Sequence, residues 1–414
     1  MKIRLKKLAF FAAFTAPMGA NFLAIPLGGV QLTLFRIAVI LLALGIIQQN
    51  FGKITLFRRG NRFSIGFMFF WLIYATISVF WSRDLSNYVR VLFFLFVGFL
   101  SIVICGNVFE TKEDYYSAAE WLEYGILLQA VIGWYEIFTR DYRFFPMTGA
   151  NYDFYILGKR RVPLAMMGNE NNFATLMLLG VVLALFASLR RSGKVAKVFH
   201  LAAMVNFAIL IFLIESRAVL IGLILTVAFV LISMKYGKLF MLLGIPVIPI
   251  AFSKLIATIR EILQFDFQGT GSDGKRLGLI KSGFVFLKRT FGLGVGTGQI
   301  EYWMERGAGY YTGVITSMHN WWMEILTSYG VVVFLGYILF YCKLFLDNYR
   351  VMRRSEDKCE RSFSRMVCAA LVGYVVASVA SSSNMVEEWL WFFWALCIGY
   401  QGMIDERIGP EKEE

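Results

Sequence analysis

The sequence predicts an all-α polytopic membrane protein with about 12 transmembrane helices and a large extracytoplasmic loop containing amphipathic helices. Three observations lead there. The 414 residues are 58% apolar with a mean hydropathy of +0.62, whereas soluble domains run roughly 45–50% apolar. Apolar runs near the roughly 20-residue length of a membrane span recur along the chain. Basic residues collect in alternate loops, as the positive-inside rule requires.

The runs lie near 8–26, 32–50, 63–81, 88–105, 119–138, 173–189, 198–214, 218–234, 238–253, 327–346, 366–383 and 388–404. They are continuous rather than alternating, which excludes a β-barrel. Residues 1–253 therefore hold nine spans, with an outer loop at 139–172. Residues 254–318 form the large extracytoplasmic loop, 319–404 hold the last three spans, and 405–414 form a charged cytoplasmic tail. Pro17, and a second span following at once, argue against a cleaved signal peptide.

A net charge of +13 invites a nucleic-acid partner, but the placement of the charge argues for none. Lys2, Arg4, Lys6 and Lys7 precede the first span, and Lys53, Arg58, Arg59 and Arg62 follow the second. Arg190, Arg191, Lys194 and Lys197 follow the sixth, and Arg350, Arg353, Arg354, Lys358, Arg361 and Arg365 the tenth. The turns Pro26–Gln31 and Ser381–Glu388 carry no Lys or Arg. Both termini are thus expected in the cytoplasm, and the partner of the chain is the lipid bilayer. The five cysteines fall in spans or on the cytoplasmic side, without metal-ligand spacing, and read as packing residues.

Long loops escape the positive-inside bias, so Arg140, Arg143, Lys159, Arg160 and Arg161 in the 139–172 loop need another account. An anionic ligand is one; attraction to acidic headgroups is the other. In the large loop, Leu277, Ile280, Phe284 and Leu287 recur at helical spacing, which predicts an amphipathic helix over 273–290 in the membrane interface. The run Gly292–Gly298 lacks the Gly-Lys-Ser/Thr ending of a phosphate loop and reads as close packing of loop backbone.

Ionisable residues at span ends are functional candidates. Glu215-Ser216-Arg217 is one cluster, with a tight turn neutralising itself as the plainer reading. His319 is the other. Ser317 is the expected helix N-cap, which puts the imidazole in the first turn, near the positive end of the helix dipole and available as a proton acceptor. The plainer reading is an interfacial histidine in a Trp belt. His200 is expected to contact headgroups. Glu387 and Glu388 point about 100° apart on a helix and cannot share one substrate. No Asp-x-Asp motif appears in the outer segments, and one outer histidine builds no zinc site, so neither metal nor cofactor is expected.

Four stretches together resemble the bacterial O-antigen ligase and O-antigen polymerase superfamily, whose members are polytopic glycan transferases. Ser216-Arg217-Ala-Val-Leu-Ile221 is similar to its Arg-x-x-x-Leu element, with Ile221 in the Leu place. Gly274-Lys275-Arg276, an amphipathic helix and Gly294-Val-Gly296-Thr-Gly298 resemble the second arginine and its Gly-rich sequel. His319-Asn320, nine residues and Gly330 match His-Asn-x9-Gly. Gly168-Asn169-Glu170-Asn171-Asn172 resembles Gly-Asn-Pro-Asn, with Glu170 where proline is usual. Order, spacing and side of the membrane agree over roughly 165–345.

The resemblance implies metal-independent transfer of a polyprenyl-diphosphate-linked glycan to an acceptor hydroxyl at the outer leaflet of the bacterial cytoplasmic membrane. Arg217 and Arg276 would hold the departing diphosphate and His319 would take the acceptor's proton. Asn320, Glu324, Asn169, Asn172, Arg160 and Arg161 are the candidate substrate-binding residues. The acceptor would be another lipid-linked glycan, for a polymerase, or a lipid-A core or other anchor, for a ligase. A lipid-linked glycan transporter is the rival of another class, although the span midplanes are nearly charge-free and no repeat is visible. A cell-wall polymerase of the shape, elongation and division group, relying on Asp266 or Asp273, is a further rival.

Overall fold

In the computed structural model the described residues are 2–27, 30–50, 54–145, 152–158, 160–234, 272–307, 309–381 and 383–404. The expected ninth span at 238–253, Asp266 and the tail from 405 lie outside them. Every other expected span falls on a helix, and the one small sheet is a hairpin pairing Ile25–Leu27 with Val30–Leu32. Five helices are long and apolar enough to cross a membrane: Arg59–Trp81, Leu85–Val108, Glu170–Arg190, Lys194–Ile214 and Trp321–Arg354. Leu34–Gln48 and Arg217–Ser233 are shorter apolar helices.

The first helix ends earlier than its apolar run. It spans Lys2–Thr15 and passes into a 3-10 turn over Ala16–Asn21, with Gly19 at a φ of 60°. Pro17 supplies no N–H to continue the α-helical ladder. Several later helices begin at side-chain caps. Asp84 accepts from the Asn87 N–H and Asn169 from those of Asn171 and Asn172; Thr111 and Asp114 form a reciprocal capping box.

Two sets of polar contacts join the loops at opposite ends of the bundle. At one end Lys6 meets Asp114 at 2.9 Å, Lys112 meets Glu360 at 2.5 Å, and Arg190 meets Glu113 and Glu120. At the other, the hairpin, the 78–84 turn, the 160–169 segment, Ser216, the glycine run and 378–388 are joined by hydrogen bonds.

Glu170–Arg190 is the central helix, with 89% of its apolar window buried. Its N-terminus opens at the end that carries the hairpin. Trp321–Arg354 packs on Lys358–Ala377 and Arg62–Ile77, its first turn fixed by aromatic packing. Trp71 lies 5.4 Å from Tyr329 and 6.3 Å from Trp321, whose indole N–H donates to the Tyr337 hydroxyl at 2.9 Å. Trp321 is therefore a core residue rather than part of a lipid-facing belt.

The amphipathic helix spans Ser272–Arg289. The face it packs on the bundle differs from the apolar stripe expected to organise it. Leu279, Ser282, Gly283 and Phe286 are buried, the last two near Met318, Met323, Thr327 and Trp303, while Phe284 of the stripe stays 53% exposed. Small residues allow close approach beside buried Leu279 and Phe286; of the expected stripe Ile280 packs partly against the same cluster, and Phe284 alone is exposed.

After this helix the glycine run lies against a break in Trp321–Arg354. Val295 N–H donates to Thr327 C=O, Gly296 N–H to Ser328 C=O, and Val331 N–H to Gly292 C=O. Gly330 has a φ of 75°, and a Cβ there would sit 2.2 Å from the Gly292 carbonyl oxygen. Only glycine fits, which gives the final residue of His-Asn-x9-Gly a structural reason.

Candidate functional site

Asn320, not Ser317, caps the Trp321–Arg354 helix. Its side-chain oxygen accepts from the N–H groups of Trp322 and Met323 at 3.1 and 3.2 Å. His319 consequently precedes the cap instead of occupying the first turn. Its φ of 47° keeps it out of the helix, and asparagine caps as well as serine does. The imidazole still lies at the positive helix end. Burial and the positive charge of Arg276 both hold its pKa below the ordinary histidine value of 6.5. A neutral ring can accept a proton.

Arg276, in the first turns of the Ser272–Arg289 helix, thus reaches His319 electrostatically. It also reaches Glu170, the first residue of the central helix, as does Arg160. One Glu170 carboxylate oxygen is buried with no hydrogen-bond partner. Arg160 donates to the Ile214 carbonyl at 2.7 Å and lies 3.4 Å from Glu215. Glu215 ends the Lys194–Ile214 helix at a φ of 59°, Ser216 is the N-cap position of the next, and Arg217 begins it. The Ser216 hydroxyl donates to the Asn171 side chain at 2.7 Å, tying that junction to the central helix. Arg217, Glu170, Arg160, Arg276 and His319 so belong to one end of the molecule. Their positions follow from the N-termini of four helices, which begin at Glu170, Arg217, Ser272 and Trp321.

The remaining candidates divide by role. Asn169 caps the central helix. Asn172 donates to Glu387 at 2.6 Å. Arg161 donates to the carbonyls of Ile137 and Phe138, at the last turn of Lys112–Thr139. Glu324 accepts from the Ser383 hydroxyl and lines a cavity of about 140 Å³ together with Asn87, Arg90, Ser317 and Tyr329. Met318, next to His319, lines the same cavity.

Glu387 and Glu388 face different partners, as their angular separation requires. Glu387 accepts from Asn172 and from the Trp389 indole; Glu388 accepts from Thr33 at 2.7 Å and pairs with Arg36 at 2.6 Å. Arg36 escaped the sequence reading because it sits just inside an apolar run, where one charge is easily absorbed into a span. His200 corrects a second expectation. It is buried, not at the headgroups, and its Nδ1 lies 2.8 Å from Glu123 at 0% exposure; the matching carboxylate, one span away, gave no local signal.

Among the described residues no three His, Cys, Asp or Glu side chains are grouped as metal ligands. Glu170 is the residue at the site that motif matching passed over, since it stands where proline is usual.

Fold and site together define a helical membrane protein with cationic and imidazole groups assembled at one end around an apolar bundle. Residues 175–338 match the O-antigen ligase family. The chain is also 26% identical, over 398 residues, to the Teichuronic acid biosynthesis protein TuaE of Bacillus subtilis (strain 168), a match that covers 91% of this chain and 80% of that one. Both findings support the O-antigen ligase/polymerase superfamily, which the four sequence motifs implied.

Proposed function

We propose that this protein is a glycosyltransferase of surface-polysaccharide assembly that moves a polyprenyl-diphosphate-linked glycan onto an acceptor hydroxyl at the outer leaflet of the cytoplasmic membrane. It acts as the polymerase. Both termini are cytoplasmic and the His319 end of the bundle faces outward, consistent with the arginine- and lysine-rich loops at the opposite end.

The observation that carries the reading is the proximity of Arg276 to both His319 and Glu170, with Arg217 on the neighbouring helix junction. In the reaction the acceptor hydroxyl attacks the anomeric carbon of the donor. A new glycosidic C–O bond forms, the bond to the lipid diphosphate breaks, and the hydroxyl proton passes to His319. Arg217 and Arg276 hold the diphosphate, whose charge grows as it leaves; guanidinium remains ionised throughout and binds phosphate oxygens in pairs. Fixed cations of this kind do the electrostatic work without a metal ion. A histidine kept neutral by burial and by Arg276 is ready to accept the proton at neutral pH.

The acceptor is a second lipid-linked glycan. The Bacillus relative is named for teichuronic acid biosynthesis, an acid by name, and we carry an acidic surface polymer over to this chain. The test is reconstitution in proteoliposomes with a lipid-linked repeat unit and no other acceptor. A ladder of lengthening products supports the polymerase. Product only when a distinct anchor lipid is added makes it a ligase, and no transfer in either case removes the enzyme reading.

A further inference from the structure

The same end of the molecule carries a second, larger cavity, of about 350 Å³, that none of the site residues above explains. Its walls come from the turn after the first helix (Gly19, Asn21), the hairpin (Gln31), Arg36, two residues of Leu85–Val108 (Arg90, Phe94), the segment before the central helix (Met166, Met167) and Glu387. The volume lies at the lower end of ligand pockets, which run about 300–1,000 Å³.

Two guanidinium groups line it, in different electrostatic states. Arg36 is fully engaged. It pairs with Glu388 at 2.6 Å, donates to the Gln31 carbonyl and lies 4.4 Å over the Phe94 ring. Arg90 makes no hydrogen bond, ion pair or ring contact among the described residues, and its side chain is exposed. Glu387 already accepts from Asn172 and Trp389, so toward the cavity it offers only further acceptor capacity. The walls thus combine two amide side chains, a carboxylate, an aromatic ring and one uncompensated cation. Hydroxyl-rich rings are recognised by such planar donors and acceptors, and a carboxylate on the ring would supply the counter-ion that Arg90 lacks.

The cavity also adjoins the site. Arg90 and Val386 line both it and the smaller cavity, whose wall includes Met318, one residue before His319. A glycan held in the larger space could place its next sugar in the smaller one.

We propose that this cavity binds an acidic sugar residue of the acceptor glycan, with Arg90 as the counter-ion to the sugar carboxylate. The proposal rests on the glycan-transfer reading given above, and it names the acceptor side of that reaction. The donor diphosphate belongs to Arg217 and Arg276, neither of which lines this cavity.

Binding without turnover tests it separately from the chemistry. The full chain in nanodiscs is titrated with a glucuronate-containing tetrasaccharide and with its carboxyl-reduced, neutral counterpart. The wild type is expected to prefer the acidic probe by at least about tenfold, a difference within reach of one charge-assisted contact. Arg90→Gln abolishes the preference with an unchanged thermal unfolding midpoint, and Arg90→Lys retains most of it. His319→Ala binds both probes as the wild type does, even where transfer is lost, so a failed catalytic assignment leaves this result intact. Equal binding of the two probes, or a preference that survives Arg90→Gln, overturns the proposal. So does inorganic diphosphate displacing the acidic probe as well as free glucuronate does, which would make the cavity a phosphate site.

Discussion

Arg276 lies near enough to His319 for its charge, after burial, to lower the imidazole's pKa, although the two residues stand on opposite sides of the glycine run and His319 precedes its helix. The relationship has a sign that can be measured. Burial and the neighbouring guanidinium both disfavour imidazolium, so His319 should titrate below 6.5. Replacing Arg276 with Gln removes one of these causes and should raise the pKa, with burial still holding it down. Labelled-histidine NMR of the full chain reads this directly, since only two histidines are present and His319→Gln assigns the signal. In the wild type, transfer should be flat through neutral pH and decline only in acid, as the ring takes up its proton. An unmoved titration in Arg276→Gln would separate the two residues.

Loss of either group should remove product while the protein remains. General base catalysis contributes about 10²–10⁴-fold, and one electrostatic donor about 10²–10³-fold. His319→Ala and Arg276→Ala should each fall below detection in a cellular polymer assay, at wild-type abundance in the membrane. Near-normal polymer from either variant takes that residue out of the mechanism.

Glu170 occupies the first position of the central helix, after Asn169 in extended conformation (φ −145°, ψ 131°). Proline is favoured there, and an extended residue before it is what proline requires. Glu170→Pro should therefore fold, with a stability gain of up to about 1 kcal/mol, read as a higher unfolding midpoint. It also removes a carboxylate from beside Arg160 and Arg276, so inorganic diphosphate should inhibit this variant at lower concentration than the wild type. Weaker inhibition would show that Glu170 helps to hold the anion.

Gly330→Ala should fail for a backbone reason. Left-handed conformation alone costs a side-chain-bearing residue about 1–2 kcal/mol, and the added Cβ would lie 2.2 Å from a carbonyl oxygen. We expect reduced protease resistance and a lowered unfolding midpoint, in contrast to substitutions at exposed Gly193, where φ is −70° and a Cβ meets nothing within 4 Å.

Arg36 and Glu388 are each 4% exposed. Removing one partner of a buried pair typically costs about 3–5 kcal/mol, because the other charge is left uncompensated. Arg36→Met alone should destabilise strongly, and Arg36→Met with Glu388→Leu should recover most of the loss in a thermal-shift measurement. Additive losses would mean that the pair does not act as a unit.

The helices were legible because they are written in long apolar runs. The chemistry was legible in part. Arg217 and His319 could be singled out as ionisable groups at span ends and Arg276 through the family resemblance, and all three lie at one end of the fold. Other features depended on partners distant in the chain. Asn320 capping in place of Ser317 turned on the left-handed backbone of His319. The Arg36–Glu388 and His200–Glu123 pairs join different spans, and no local pattern announces them. The amphipathic helix was legible as an element, whereas the full burial of Leu279 and Phe286 beside its half-buried stripe depended on partners such as Met318 and Trp303.

The junction between Gly294 and Gly330 ties two distant stretches together in inheritance: a Cβ at Gly294 would lie 2.5 Å from the Gly330 nitrogen, and one at Gly330 2.5 Å from the Leu293 carbonyl carbon. A side chain gained at either position needs backbone withdrawn across the seam, so single steps away from this arrangement are closed. Descendants of this chain can drift in sugar preference far more freely than in that seam, and substitutions there should arrive in pairs.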